Sequence, residues 1–290
     1  MLQNHPFRFE LLSAGKLLLR KNSAVHAECF SAGKAKHRSR LAAGNKNLPP
    51  LHTVKKVVLA ASVQLAHHIV KQHDRLFPQI AAEHGGFSRE VITREHGAFW
   101  MLTRVWYRLE RPLRWEEELT IRTWHRGGRA ATLYRDYDLY VGREPVGECV
   151  SAWVLARQSD RQLLRLSAIR ELDNTGGGAL CKDKKLSKLR LPDGLREAGR
   201  RRTRYSDTDI NGHVNNTRYA DFACDALEME KLEAGTFLSQ LQIGYLAECR
   251  PGEELRLMAG QEGETRFVRG MDEDGKSRFE AALIFSKELP

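Results

Sequence analysis

The stretches Trp115-Glu-Glu-Glu-Leu-Thr-Ile121 and Pro251-Gly-Glu-Glu-Leu-Arg-Leu257, about 136 residues apart, decide the fold class. Each follows a strand-like segment with an acidic residue near its end, Glu110 in one case and Glu248 in the other. Upstream of the first, apolar residues from Val57 (Val58, Leu59, Val63, Leu65, Ala66, Ile69, Val70) recur at helical spacing and stop near Phe77-Pro78. Strand-like runs follow at Phe99–Leu109, Glu118–Trp124, Thr132–Val141 and Cys149–Ala156, with Gly127-Gly128 and Gly142-Arg143 reading as turns. Around the second stretch the order repeats. A helix is predicted from about Asn215 to Leu232, then strands at Leu238–Glu248, Glu254–Ala259, Thr265–Met271 and Ser277–Ser286. One helix and several antiparallel strands, occurring twice, predict a duplicated α+β unit.

The division that follows places a basic N-terminal segment at 1–52, a first unit at 53–166, a connection at 167–202 and a second unit at 203–290. The 290 residues carry a net charge of +10. Residues 1–50 hold nine Lys/Arg against two Glu, a balance of +7; residues 157–204 hold fourteen against six, a balance of +8; the rest is left at −5. Basicity therefore belongs to a tail and a connection, and solvated charge is its first explanation. Docking of an acidic partner on the connection is the sharper one. The tail shows no sustained period, so disorder is expected, with an organelle transit peptide as the alternative. Arg40–His52, with Gly44, Asn45, Pro49 and Pro50, does not read as a strand, so either the first unit lacks a regular opening strand or the recorded start is not the functional one. No stretch reaches the ~18 apolar residues of a membrane span. Five widely spread cysteines without a CxxC pair argue against disulfides or structural zinc and for a reducing compartment, read here as cytoplasmic.

Chemistry concentrates in Tyr205-Ser-Asp-Thr-Asp-Ile-Asn-Gly-His-Val-Asn-Asn-Thr-Arg-Tyr219. Asp209, Asn211 and His213 stand at alternate positions, which in extended chain share one side. The helix that follows offers backbone N–H groups and a positive dipole end. A carboxylate, an amide, an imidazole and such donors within a dozen residues suit acyl transfer or hydrolysis. Other candidates weigh less. Histidines 67, 68, 73, 84 and 96 lack a matched carboxylate pair and read as a helix surface, so no metal is expected. The tryptophans at 100, 106, 115, 124 and 153 read as core and pocket lining, which leaves no nucleic-acid platform. Without a P-loop or GxGxxG cradle no nucleotide cofactor is implied. Cys249 adjoins Glu248 and could be a nucleophile, but a buried side chain on the opposite strand face is the favoured reading.

With Asp209-Ile-Asn211-Gly-His213-Val-Asn215-Asn216-x-x-Tyr219 opening the second helix and Tyr245-Leu-Ala-Glu248-Cys249-Arg250 following, the chain resembles the acyl-acyl carrier protein thioesterases, tandem hotdog-fold enzymes of fatty acid synthesis. Trp100-Met-Leu-Thr-Arg104, Trp124, Tyr134-Arg135-Asp136 and Ser151-Ala-Trp153-Val-Leu155 extend the likeness to about residues 57–290. The resemblance implies a long helix wrapped by antiparallel sheet in each unit, and a catalytic network of Asp209, Asn211, His213 and Glu248 in the second. The first unit, lacking the Asp-x-Asn-x-His run, would shape the acyl pocket. Glu248 or Asp209 would activate water, or Asp209 attack directly; His213 and Asn211 would orient, and the first turn of the helix would contact the oxyanion. It implies a fatty acyl thioester substrate on acyl carrier protein, without cofactor or metal. A plastid replaces the cytoplasm if the tail is a transit peptide. The alternatives are a hotdog acyl-CoA thioesterase and a non-catalytic acyl-binding protein. The tandem copies either replace a hotdog dimer internally or pair again as a homodimer.

Overall fold

The computed structural model describes residues 7–12, 16–21, 53–58, 89–114, 117–169, 185–209 and 211–288. Two strands, β1 (Phe7–Leu12) and β2 (Lys16–Lys21), form a separate antiparallel hairpin where the sequence shows no regular period. The first copy comprises β3 (Thr53–Val58), α1 (Arg89–His96), β4 (Ala98–Leu109), β5 (Glu118–Arg129), β6 (Thr132–Val141), β7 (Glu144–Arg157) and the short β8 (Leu163–Leu164). The second comprises β9 (Arg196–Arg202), α2 (Arg218–Ala226), β10 (Thr236–Tyr245), β11 (Glu254–Glu262), β12 (Thr265–Met271) and β13 (Ser277–Lys287). All but the hairpin belong to one 11-stranded sheet in the order β3-β5-β6-β7-β4-β10-β13-β12-β11-β9, with β8 paired to β7 off that path.

That order is the duplication made visible. Read outward from the centre, each copy runs through its second, fifth, fourth, third and opening strands in the same sequence. The copies meet where β4 pairs antiparallel with β10, Tyr107 opposite Leu241 and Val105 opposite Ile243. The end of the connection lies over that seam: the Leu186 carbonyl accepts from Arg104 Nε on β4 (3.1 Å), and the Ser187 carbonyl from Gln242 Nε2 on β10 (2.8 Å). Leu186 itself is buried with Trp106, Val150 and Ala152.

Alternation of apolar and polar residues fixes which face each strand buries. In the second copy Leu255, Leu257, Phe279, Ala281 and Leu283 are buried, and α2 lays Tyr219, Phe222, Ala223 and Ala226 onto the same core. Burying a side chain such as Phe222 stabilises by about 2 kcal/mol. Gly270 lets the Phe279 ring lie against β12, since a Cβ there would stand 2.1 Å from a ring carbon. Of the tryptophans, Trp106 is buried, and Trp100 and Trp153 pack on core clusters.

Several boundaries differ from the sequence reading. An opening strand is present after all: β3 pairs with β5, and it contains Val57 and Val58, which helical spacing had claimed. The rest of the helix expected from Val57 to Pro78, with histidines 67, 68 and 73, lies outside the described residues, as does His84. Gly127-Gly128 is not a turn. It sits inside β5 at a bulge, and Gly128 makes room for Leu166; the chain reverses instead at Ala130, with φ +57°. Because β9 pairs with β11, the strands of the second copy start at Arg196, seven residues before the expected 203. Arg200–Arg202, read as connection, are thus an edge strand. The second helix is shorter than predicted, because Glu228 adopts a left-handed conformation (φ +50°) and a 3-10 turn, Met229–Lys231, follows.

Candidate active site

Asp209 to His213 do not form an extended strand. The Asp209 N–H donates to the His213 carbonyl (2.9 Å) and the Gly212 N–H to the Asp209 carbonyl (3.1 Å), closing a tight turn flanked by a bridge between Thr208 and Val214. Gly212 takes φ +75°, a conformation that costs a side-chain-bearing residue ~1–2 kcal/mol. Strand alternation therefore does not place these residues; a turn does. Within it both Asp209 oxygens accept from Asn211, Oδ1 from the backbone N–H (2.8 Å) and Oδ2 from Nδ2 (3.0 Å).

Two further links hold the turn. The Val214 N–H donates to the Cys249 carbonyl (2.8 Å), which joins the turn to the loop carrying Glu248. The Asn215 N–H donates to the Asp207 carbonyl (2.8 Å). Asn215 then opens the helix, its Oδ1 accepting from the Thr217 N–H (3.0 Å) and hydroxyl (2.8 Å), and its carbonyl from the Arg218 N–H (2.9 Å). These amides are engaged before any substrate arrives, so the oxyanion contact expected from the first helical turn is not available at Thr217 or Arg218.

Glu248 stands on a loop, since β10 ends at Tyr245. The Leu246 and Ala247 N–H groups both turn to the Arg278 carbonyl (2.9 and 3.1 Å), and the Arg278 guanidinium donates to the Glu248 carbonyl (2.6 Å). The same guanidinium pairs with Asp272 at 3.0 Å, anchoring the loop to β13. The Glu248 side chain, 44% exposed, puts Oε2 3.3 Å from His213 Nε2, and His213 is only 18% exposed. Of the four sequence-predicted residues, the fold thus forms two contacting pairs, Asp209 with Asn211 and Glu248 with His213.

Cys249 is fully buried, and burial pushes its thiol up, away from the thiolate form that a nucleophile needs. The Tyr219 phenol, raised first by burial and then by the neighbouring Cys249, is its hydrogen-bond partner. Sequence reasoning missed Asp207, whose carboxylate is wholly buried. Its Oδ1 accepts from Arg218 Nε (3.0 Å) and from Arg201 Nη2 (3.2 Å), and its Oδ2 from the Arg204 N–H (2.8 Å). Burial alone would raise this carboxyl; the Arg204 amide, Arg218 and Arg201 outweigh it and hold Asp207 below the ordinary carboxylate range. The signal was available in the basic residues at 201 and 218 around an acid in a polar run.

Residues 61–169 match the acyl-ACP thioesterase N-terminal domain and residues 196–287 the acyl-ACP thioesterase C-terminal domain. The chain belongs to the acyl-ACP thioesterase family. Among its curated relatives, an acyl-[acyl-carrier-protein] hydrolase of Cuphea viscosissima is 25% identical over 175 residues, 57% of this chain and 42% of the relative. The oleoyl-acyl carrier protein thioesterase 2 of Arabidopsis thaliana is 25% identical over 214 residues, 62% of this chain and 56% of the relative. The chain thus spans about half the length of these curated relatives. Solved structures bear out the tandem hotdog, an α+β fold. An acyl-ACP thioesterase from Bacteroides thetaiotaomicron superposes with TM-score 0.69 at 19% identity, covering 80% of this chain and 97% of the other. The 12:0-ACP thioesterase of Umbellularia californica gives 0.64 at 18% identity, over 81% and 97%. Among the described residues no group of three or more His, Cys, Asp or Glu is placed to hold a metal ion, and no helix is long and apolar enough to cross a membrane.

Proposed function

We propose that this family member hydrolyses fatty acyl thioesters of acyl carrier protein, releasing free fatty acid in fatty acid biosynthesis. The observation that carries the reading is the Glu248–His213 contact at 3.3 Å beside the Asp209–Asn211 turn. A thioester is already activated, so the site needs chiefly a general base for water and a polar contact for the developing oxyanion. Glu248 is the base of choice, being solvent-reachable and steadied by His213 through one oxygen. It takes a proton from water as the hydroxyl adds to the thioester carbonyl. The tetrahedral adduct then collapses with C–S cleavage, and the proton passes to the leaving thiolate, giving free acid and carrier thiol. Asp209, with both oxygens on Asn211, shapes the turn rather than attacking directly.

An acidic carrier suits the basic surface, but not at all three arginines of β9. Arg200 is tied to Glu197 (3.0 Å) and Glu254 (3.1 Å), and Arg201 to Asp207 and Asp225. Arg202 and Arg204 are exposed, and Tyr205, 88% exposed, follows them into the catalytic turn. This corner is the docking surface we assign. The plant relatives are chloroplastic by name; the cysteines of this chain point to a reducing compartment.

The test is kcat/KM for one acyl chain presented on carrier protein and on coenzyme A, for wild type and three variants. Glu248→Gln and Asp209→Ala should each lower kcat by about 10³-fold on both substrates with unchanged fold. Reversing Arg202 and Arg204 to Glu should raise KM for the carrier-bound substrate alone. Preference for coenzyme A would make it an acyl-CoA thioesterase, and binding without turnover an acyl-binding protein.

A further inference from the structure

We propose that Arg161, a residue of the first copy, is a positioning residue for the catalytic carboxylate of the second; the proposal rests on Glu248 being the base. Arg161 sits in the turn between β7 and β8. Its N–H donates to the Arg157 carbonyl (3.0 Å), and the Arg157 N–H donates to the Gln162 carbonyl (2.9 Å), so the turn is closed on both sides. Its guanidinium lies 5.1 Å over the Phe99 ring and donates from Nη1 to Glu248 Oε1 at 3.1 Å.

The backbone at this residue is the telling observation. Arg161 holds φ +60°, a left-handed conformation that glycine or asparagine accepts more readily than a long side chain does. The ion pair it makes is about half exposed on both partners, and such pairs add little to stability. A strained backbone supporting a contact of small energetic value points to a role other than holding the fold together. The geometry supplies that role. Glu248 Oε1 is taken by Arg161 and Oε2 by His213, so the two oxygens are fixed by different copies and the carboxylate plane cannot rotate freely. Each oxygen keeps a lone pair for water. The loop beneath is anchored through its backbone by Arg278, which leaves the orientation of the side chain to these two contacts. The copy that lacks the Asp-x-Asn-x-His run would thereby enter the chemistry without touching substrate.

The test replaces Arg161 with glycine, which relieves the left-handed backbone while removing the guanidinium. The expected result is a thermal midpoint unchanged or raised, kcat lowered about tenfold with KM within about twofold, and partial recovery in Arg161→Lys. In parallel, the imidazole of His213 is followed by NMR with labelled histidine. Its resonance should move in Arg161→Gly towards that of Glu248→Gln, and Arg161→Gly should cause no further change in the Glu248→Gln background. A kcat within twofold of wild type, a loss confined to KM, or an unmoved His213 resonance would each overturn the proposal. If the wild type cleaves no acyl thioester, the proposed function falls, while the His213 resonance still decides whether Arg161 holds Glu248 in place.

Discussion

The two copies share a strand order but differ in where they bury most of their polar residues. In the first, the polar groups lie inside the sheet: Thr123, Arg135, Asp136, Asp138 and Ser151 are all buried on β5, β6 and β7. Asp136 pairs with Arg126 at 2.8 Å, and the Ser151 hydroxyl lies between Tyr137 (3.1 Å) and Trp153 (2.9 Å). Burial brings Arg135 down to about 10, the direction expected of a cation surrounded by protein. In the second, four of the five buried polar residues, Thr203, Asp207, Thr217 and Asp272, lie outside the strands, with Ser239 on β10 the exception, and the buried acid Asp207 comes just before the turn that carries Asp209. A polar group inside a sheet has to be matched by neighbours on adjacent strands, which makes the first copy specific in shape. A polar group in a loop can be matched by backbone amides, as the Arg204 N–H matches Asp207 in the second copy. Duplication kept the frame and changed where the polar groups are held.

The sharpest way to break this contrast is at Asp207. Asp207→Asn should lower stability by about 4 kcal/mol at neutral pH, because two arginines lose their buried partner; a denaturant midpoint measures it. The folded-state pKa of Asp207 is depressed, so its contribution is fully present above the unfolded value of about 3.9 and is lost as pH falls through the folded one. The difference between wild type and variant should therefore shrink below about pH 4. Next in size is Asp136→Ala, which should cost about 3 kcal/mol by removing the carboxylate opposite the partly exposed Arg126. If Asp136→Ala costs nothing, the polar band of the first copy is not structural and the contrast fails. Smallest is Cys249→Ala. The thiol is buried behind Glu248, so kcat should stay within about twofold of wild type, with a modest drop in melting temperature from lost packing; a large fall in kcat would bring the cysteine into the chemistry.

The strands at Thr132–Val141 and Thr265–Met271 were legible to the residue, because aromatic and β-branched runs there stop against clear turn signals. Strand β5 was not, since two consecutive glycines signal a turn from sequence while here they serve a bulge and the approach of Leu166. Asp209, Asn211 and His213 were singled out by residue type and spacing, and Glu248 by the family resemblance. Their pairing was not: it depends on a backbone turn at Gly212 and on a loop pinned by Arg278, thirty residues beyond Glu248. Nothing in the sequence tied Arg161 to Glu248, because their meeting follows from the seam between copies and not from either copy's pattern.

That seam has a consequence for how the molecule responds to its own abundance. Two separate chains joined through β4 and β10 would part on dilution, and their melting temperature would rise with protein concentration. Here both strands belong to one polypeptide, so this ladder is as intact at trace concentration as at high concentration. A cell could make very little of the protein and still have its two units joined in every molecule.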